Sequence, residues 1–122
     1  MVSNDSNKFV LERMIWYCNE VNRTIEYFGN SKELLLANTI YKHALSMCIL
    51  QLGELTTLLS QDFKDAHAGA PWGDIKAMRN IAAHRYGEFS IDFLWDTVKV
   101  DINPLREYCE TCITEIENCS VN

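Results

Sequence analysis

Proline and glycine are scarce in this chain of 122 residues, with two of the first and five of the second. Few places can therefore break a helix, and no stretch alternates apolar and polar residues as a half-buried strand does. No apolar run approaches the roughly 20 residues needed to cross a bilayer, which excludes a membrane-spanning segment. A secretory leader is lacking too, and five cysteines are an odd number, so the chain reads as cytosolic with reduced thiols rather than as a disulfide scaffold. Positive charge is also in deficit. Lys and Arg number 11 against 17 Asp and Glu, a net charge of −6, whereas a protein that grips nucleic acid through many phosphates needs the opposite balance. Any such ligand has to be engaged locally. No internal repeat or low-complexity tract is visible, and only Met1 to Asp5 and Ser120 to Asn122 read as disordered ends.

What is present is apolar spacing of three and four, the mark of amphipathic helices. A first helix is expected from Asn7 to Phe28, with Val10, Met14, Tyr17, Val21, Ile25 and Phe28 on one stripe and Gly29-Asn30 ending it. Asn30-Ser31 offers N-caps, with Glu33 three after Asn30. A second helical region starts with a short turn at Lys32 to Ala37 and continues through a bend to about Ser60, carrying Tyr41, Leu45, Cys48, Leu52, Leu55 and Leu59. Gly53 lies inside that stripe at a cost of up to about 1 kcal/mol relative to alanine, so close approach of another helix is expected there. Gln61 to Pro71 lacks periodicity and contains Gly69-Ala70-Pro71, which reads as a surface loop. A short third helix follows, about Trp72 to Arg85, with Gly87 placed to cap it. The last region runs from near Ser90, with Leu94, Val98, Ile102, Leu105, Cys109, Cys112, Ile116 and Cys119 in one stripe that survives Pro104 and so predicts a kinked helix. The sum is one all-α domain over residues 1–122, a four- to five-helix up-and-down bundle.

Chemistry concentrates in Arg79-Asn80-Ile81-Ala82-Ala83-His84-Arg85-Tyr86. From Lys64 to Arg85 the charge balance reverses: Lys64, Lys76, Arg79 and Arg85 outnumber Asp65 and Asp74, with His67 and His84 able to add charge. Arginine supplies a permanent fork for phosphate oxygens, and histidine exchanges a proton near neutral pH. Together they can handle a phosphodiester without a metal. A plainer reading stands beside this one, since cations at a helix C-terminus are favoured by the helix dipole alone.

The pattern Arg-x4-His-x-Tyr, with Asn directly after the Arg, resembles the signature of the HepT-like toxins in the HEPN superfamily of all-helical ribonucleases. Pro71-Trp72 ahead of it, and Trp95 and Asp101-x-x-Pro104-Leu105 behind it, fall where those proteins have them. Leu52-Gly53-Glu54-Leu55 is similar to the family's Ile-Gly-Glu-Ala, from which Leu52 and Leu55 depart. The likeness covers about Asn38 to Leu105. It implies a HEPN-like bundle that acts as a homodimer with a composite cleft, and the sequence geometry is compatible. On an ideal helix Arg79 and His84 lie about 140° apart, whereas Asn80 and His84 share a face. Arg79 can meet the imidazole through its long stem or a loosened helix end, or, more economically, Arg79 of one subunit can approach His84 of the other.

No Glu-x-x-His pair or acidic cluster suggests a metal site, and the scheme uses neither metal nor cofactor. The ribose 2′-OH attacks the adjacent phosphate, His84 acts as base or acid, and Arg79 stabilises charge on the phosphoryl oxygens. Asn80 holds His84 or the phosphate, and Glu54 steadies Arg79 from the second helix. The products are a 2′,3′-cyclic phosphate and a 5′-OH, so RNA is the substrate and DNA is spared. Tyr86 has two readings: an amphipathic residue at a helix end, or, as the resemblance implies, the site where a minimal nucleotidyltransferase antitoxin attaches AMP and silences the toxin.

Other features read as structural. Cys109-x-x-Cys112 has no second ligand pair and falls on the helix stripe with Cys119. His43 is expected to be solvated beside Lys42, and His67 to sit in a loop near the site, within reach of substrate though more often silent. Trp16, Trp72 and Trp95 fit core or dimer anchors better than base-stacking platforms. Two other function classes remain open: a non-catalytic helical subunit that binds a nucleotidyltransferase or nucleotide, which the acidic surface favours, and a plain dimerisation module in which Arg79 and His84 are dispensable.

Overall fold

The computed structural model describes residues 4–70, 72 and 91–120, and among them there are helices and no strand. Helix α1 spans Asn4–Phe28. Spacings of three and four put Leu11, Met14, Cys18, Val21 and Ile25 on one buried line with Val10 beside it, while Tyr17 and Phe28 lie at its edges. Each such apolar side chain contributes about 1.5–3 kcal/mol when withdrawn from water. The chain leaves α1 through Gly29, whose φ of 116° lies in the left-handed region that favours glycine, and an added Cβ there would push the Leu34 side chain aside. The Tyr41 hydroxyl donates to the Gly29 carbonyl at 3.0 Å and the Tyr41 ring stacks on Phe28 at 4.8 Å, so the turn is fixed from below.

Helix α2 (Lys32–Ala37) begins at Ser31, whose Oγ accepts from the Leu34 amide. The expected bend is a cap: Asn38 adopts extended backbone, and its Oδ1 accepts from the Ile40 and Tyr41 amides at 2.9 and 3.2 Å. Those bonds satisfy two donors that a helix start leaves open. Helix α3 then runs Thr39–Thr56 and buries Tyr41, Leu45, Cys48, Ile49, Leu52 and Gly53.

At the other end of the chain, α5 (Ile91–Asp96) passes through a π-helical turn at Thr97–Asp101 into α6 (Ile102–Ser120). Asp96 and Ile102 both keep helical dihedrals, so this is one helix with a wide turn. Pro104 has no N–H for the carbonyl four residues back and its ring crowds that oxygen; the wider winding just upstream takes up the conflict. Leu94, Val98, Ile102, Leu105, Cys109, Cys112 and Ile116 are all buried along it. Cys119 departs from that stripe and is exposed.

Helix α1 is antiparallel to both long neighbours. Its start meets the end of α3 through Asn7 and Ser60 and the end of α6 through Lys8 and Glu117, 3.3 Å apart; its far end meets the start of α6 through Asn22 and Asn103 at 2.9 Å. The short α2 is tied to α5 by the Lys32–Asp92 ion pair. Composition gave both ends as frayed, but Asn4, Asp5 and Ser120 are helical, and Asp5 sits in a first turn where the helix dipole favours a carboxylate. Among the described residues no helix is long and apolar enough to cross a membrane.

Four of the five cysteines are buried where α1, α3 and α6 meet. Burial pushes the Cys18 thiol up to about 12 and those of Cys48 and Cys112 to about 11, with Cys109 raised further. Thiolate is the reactive form. Titration of native protein with a thiol reagent at neutral pH should therefore label Cys119 rapidly and the other four only after denaturation. Because the unfolded thiols ionise first, near the ordinary value of about 8.5, stability should be intact below that pH and fall as pH climbs toward 11–12. Urea midpoints measured from pH 7 to 10.5 check the sign; a rise with pH contradicts it.

Candidate functional site

Arg79, Asn80, His84 and Tyr86 lie outside the described residues, as does the expected helix from Trp72 to Arg85 apart from Trp72 itself. The elements on either side of that segment are described. Before it stands a helix where a loop was expected. Residues Gln61–Ala66 form α4, capped by Ser60, whose Oγ accepts from the Phe63 amide at 3.1 Å. Asp62 in the first turn and Lys64 in the last complement the dipole. At six residues it is too short to declare a period in sequence, and its formation depends on partners elsewhere in the chain. Phe63 is buried, and Asn7 of α1, itself 1% exposed, clasps Ser60 with two bonds: its Nδ2 donates to Ser60 Oγ at 3.2 Å and its Oδ1 accepts from the Ser60 amide at 3.1 Å.

His67 was expected as a loop residue open to substrate. Instead it closes α4 as its C-cap, with only one-fifth of its side chain exposed. Its ring stacks on Phe63 at 4.2 Å, Nδ1 faces the Phe63 carbonyl at 3.0 Å and Nε2 faces Glu115 of α6 at 3.0 Å. The His67 carbonyl accepts from the Trp72 indole N–H at 2.9 Å. Trp72 is 7% exposed and meets the Tyr108 ring edge-on, so the chain is anchored in the core where it enters residues 73–90. On the far side of that segment, α5 is anchored by the buried Leu94.

Of the sequence-derived site residues, Glu54 alone is described. It is exposed near the end of α3, directly after the buried Gly53. Trp95 packs against the core with Lys99 Nζ 5.6 Å from its ring centroid, and Trp16 is 45% exposed beneath the guanidinium of Arg13, 4.9 Å away. His43 is exposed on α3. Cys109 and Cys112 are core residues, and among the described residues no three His, Cys, Asp or Glu side chains converge as a metal site requires. Sequence reasoning missed Glu115 as a partner and placed His67 in a loop. The signal was there in part: Ser60 as a cap, and Phe63 and His67 one turn apart.

The family model described as Ribonuclease HepT-like matches residues 14–112. The chain belongs to the HepT-like ribonuclease family. The match starts inside α1 and ends inside α6, so it takes in the whole of Arg79 to Tyr86 and the residues that flank it. A Methanocaldococcus jannaschii protein named Putative RNase MJ1216 is 27% identical over 92 residues, 74% of each chain. A second from that organism, Putative RNase MJ1380, is 29% identical over 75 residues, 60% of this chain and 67% of its own. Probable ribonuclease HepT of Thermococcus cleftensis is 36% identical over 55 residues, 45% of this chain and 50% of its own. No solved structure matches the chain significantly.

Within this HepT-like bundle, the Asn7–Ser60 clasp joins α1 to the approach to the signature segment. Asn7→Ala leaves the part-buried Ser60 amide without its acceptor and should cost about 1–3 kcal/mol of stability. Urea unfolding of the variant measures this directly; an unchanged midpoint would deny the clasp its role.

Proposed function

We propose that this chain is the toxin of a toxin–antitoxin pair, a metal-independent endoribonuclease that works as a homodimer in the cytoplasm. The observation that carries the reading is the HepT-like ribonuclease match across residues 14–112, a span that encloses Arg79, Asn80, His84 and Tyr86. Arg79 neutralises charge on the phosphoryl oxygens, His84 moves the proton between the 2′-OH and the leaving 5′-oxygen, and Asn80 orients one or the other. Glu54 steadies Arg79. A net charge of −6 argues for a short contact with RNA rather than a long one. That same acidity supports a second reading, a non-catalytic helical subunit that binds a nucleotidyltransferase or nucleotide.

Cleavage of a labelled single-stranded RNA by purified protein separates the two readings. Arg79→Ala and His84→Ala should each lower the rate by about 10²–10⁴-fold while the unfolding midpoint stays put. EDTA should leave the rate unchanged, and a 2′-deoxy residue at the scissile position should block cutting. Full cleavage by the double variant would refute the assignment, and no cleavage by the unaltered protein would favour the binding subunit.

Regulation falls on Tyr86. Its phenol oxygen attacks the α-phosphate of ATP in the active site of a partner nucleotidyltransferase, forming a phosphodiester to AMP, releasing pyrophosphate and giving up the phenolic proton. The new charge competes with RNA for Arg79. Incubation with a minimal nucleotidyltransferase, ATP and Mg²⁺ should add whole AMP masses to Tyr86 and lower RNA cleavage in proportion, and Tyr86→Phe should escape labelling. AMP found on another residue, or undiminished cleavage by labelled protein, removes this role.

A further inference from the structure

Helix α3 carries two Asp, Glu, Lys or Arg residues among its 18, Lys42 and Glu54, where α1 carries seven among 25. A helix so poor in charge is apolar almost all round, and such helices are normally covered. The outer side of α3 is open. Ile40 and Met47, with Leu58 in the turn that extends the helix, leave 69%, 48% and 60% of their surface in water. Ala44, Gln51 and Glu54 complete a line with them, at steps of four, three, four, three and four along the chain. That is the spacing of a coiled-coil seam, here about 27 Å long, and all six residues are among the described ones. An exposed apolar strip of this kind marks an interaction face.

The order of residues indicates what covers it. Reversed, the line pairs with itself: about a two-fold axis midway between Met47 and Gln51, Ile40 meets Leu58 of a second copy, Ala44 meets Glu54, and Met47 meets Gln51. A two-fold axis makes each pairing occur twice and closes the assembly as a dimer. Large apolar side chains then lie at both ends of the seam. The small Ala44 leaves room for the carboxylate opposite, and His43 beside it can carry the complementary charge. In the middle, Gln51 Nε2 already donates to Met47 Sδ at 3.7 Å within one chain, and methionine adapts its shape to a neighbour. The outer face of α1 fails the same operation. Setting the exposed Phe9 against Tyr27 of a copy also sets Arg13 against Arg23, and like charges so placed repel.

We propose that α3 is the dimer helix, packing antiparallel on α3 of a second copy through Ile40, Ala44, Met47, Gln51, Glu54 and Leu58. The inference names the face of the homodimer proposed above and rests on that part of the reading; it does not depend on RNA cleavage.

Sedimentation of the full chain at micromolar concentration tests it. The unaltered protein should run as a dimer. Met47 lies two residues from the axis, so its two copies stand about 6 Å apart along the seam. Met47→Glu and Met47→Lys should therefore each weaken self-association by roughly 100-fold or more, through like charges facing each other across the axis. An equimolar mixture of the two variants should dimerise again, which a folding defect would not allow. Tyr27→Glu, on the outer face of α1, should leave the dimer as it is. A dimer that survives both Met47 substitutions, or a mixture that stays monomeric, overturns the proposal and leaves the homodimer reading standing. An unaltered protein that runs as a monomer overturns both. In that case a lowered urea midpoint for Met47→Glu assigns the stripe to cover within the chain, and Met47-dependent binding of a separately purified nucleotidyltransferase assigns it to another protein.

Discussion

The burial of the apolar line on α1 is the constraint on which the other elements depend. Leu11, Met14, Cys18, Val21 and Ile25 lie on the face that α1 turns to the core, and α1 packs against both α3 and α6. Neither short helix stands without it. α2 takes its start from the turn at Gly29 that ends α1, and α4 takes its start from the Asn7 clasp near the beginning of α1. A single amphipathic stripe thus sets the two ends of the bundle: the closed end, where Tyr41 and Phe28 pack beneath Gly29, and the end that leads toward the signature segment.

The second end is built differently from the first. At the closed end, apolar stacking and one glycine conformation decide the geometry. At the other, polar atoms carry it: Asn7 on Ser60, Ser60 on Phe63, His67 on Glu115 and Trp72. Hydrogen bonds are directional where apolar contact is not, so the indole of Trp72 is held in direction as well as in place.

Long helices were legible because their periodicity is written many times over. The stripes of α1, α3 and α6 repeat three or more turns each, and Gly29 and Asn38 punctuate them where glycine and asparagine chemistry predicts. The six residues of α4 repeat nothing, and its stability comes from Asn7, 53 positions away from Ser60; a local reading had no access to that partner and assigned a loop. His67 was misread for the same reason, since its exposure is decided by Glu115 and Tyr108 on another helix. Cys119 erred the other way: it continues the phase of the stripe yet is exposed. The candidate site stands in the sequence as a run of residue types, Arg79 to Tyr86, outside the described residues, whereas the anchor at Trp72 and its hold on His67 belong to tertiary structure.

The wide turn at Thr97–Asp101 makes the α5–α6 helix sensitive to chain length in an unusual way. A π turn amounts to one extra residue inserted into an α-helix, and here the apolar residues around it follow one another by four and four, from Leu94 to Val98 to Ile102. In an unbroken α-helix two such steps would swing the face by about 80°; the slower winding cancels the swing. Losing one residue from this turn would regularise the hydrogen bonding locally yet rotate everything before it, carrying Leu94 off the core and Asp92 away from Lys32. The residue count of this turn is therefore fixed by the core on either side of it, just as the burial of Thr97 and Val98 fixes the side chains within it.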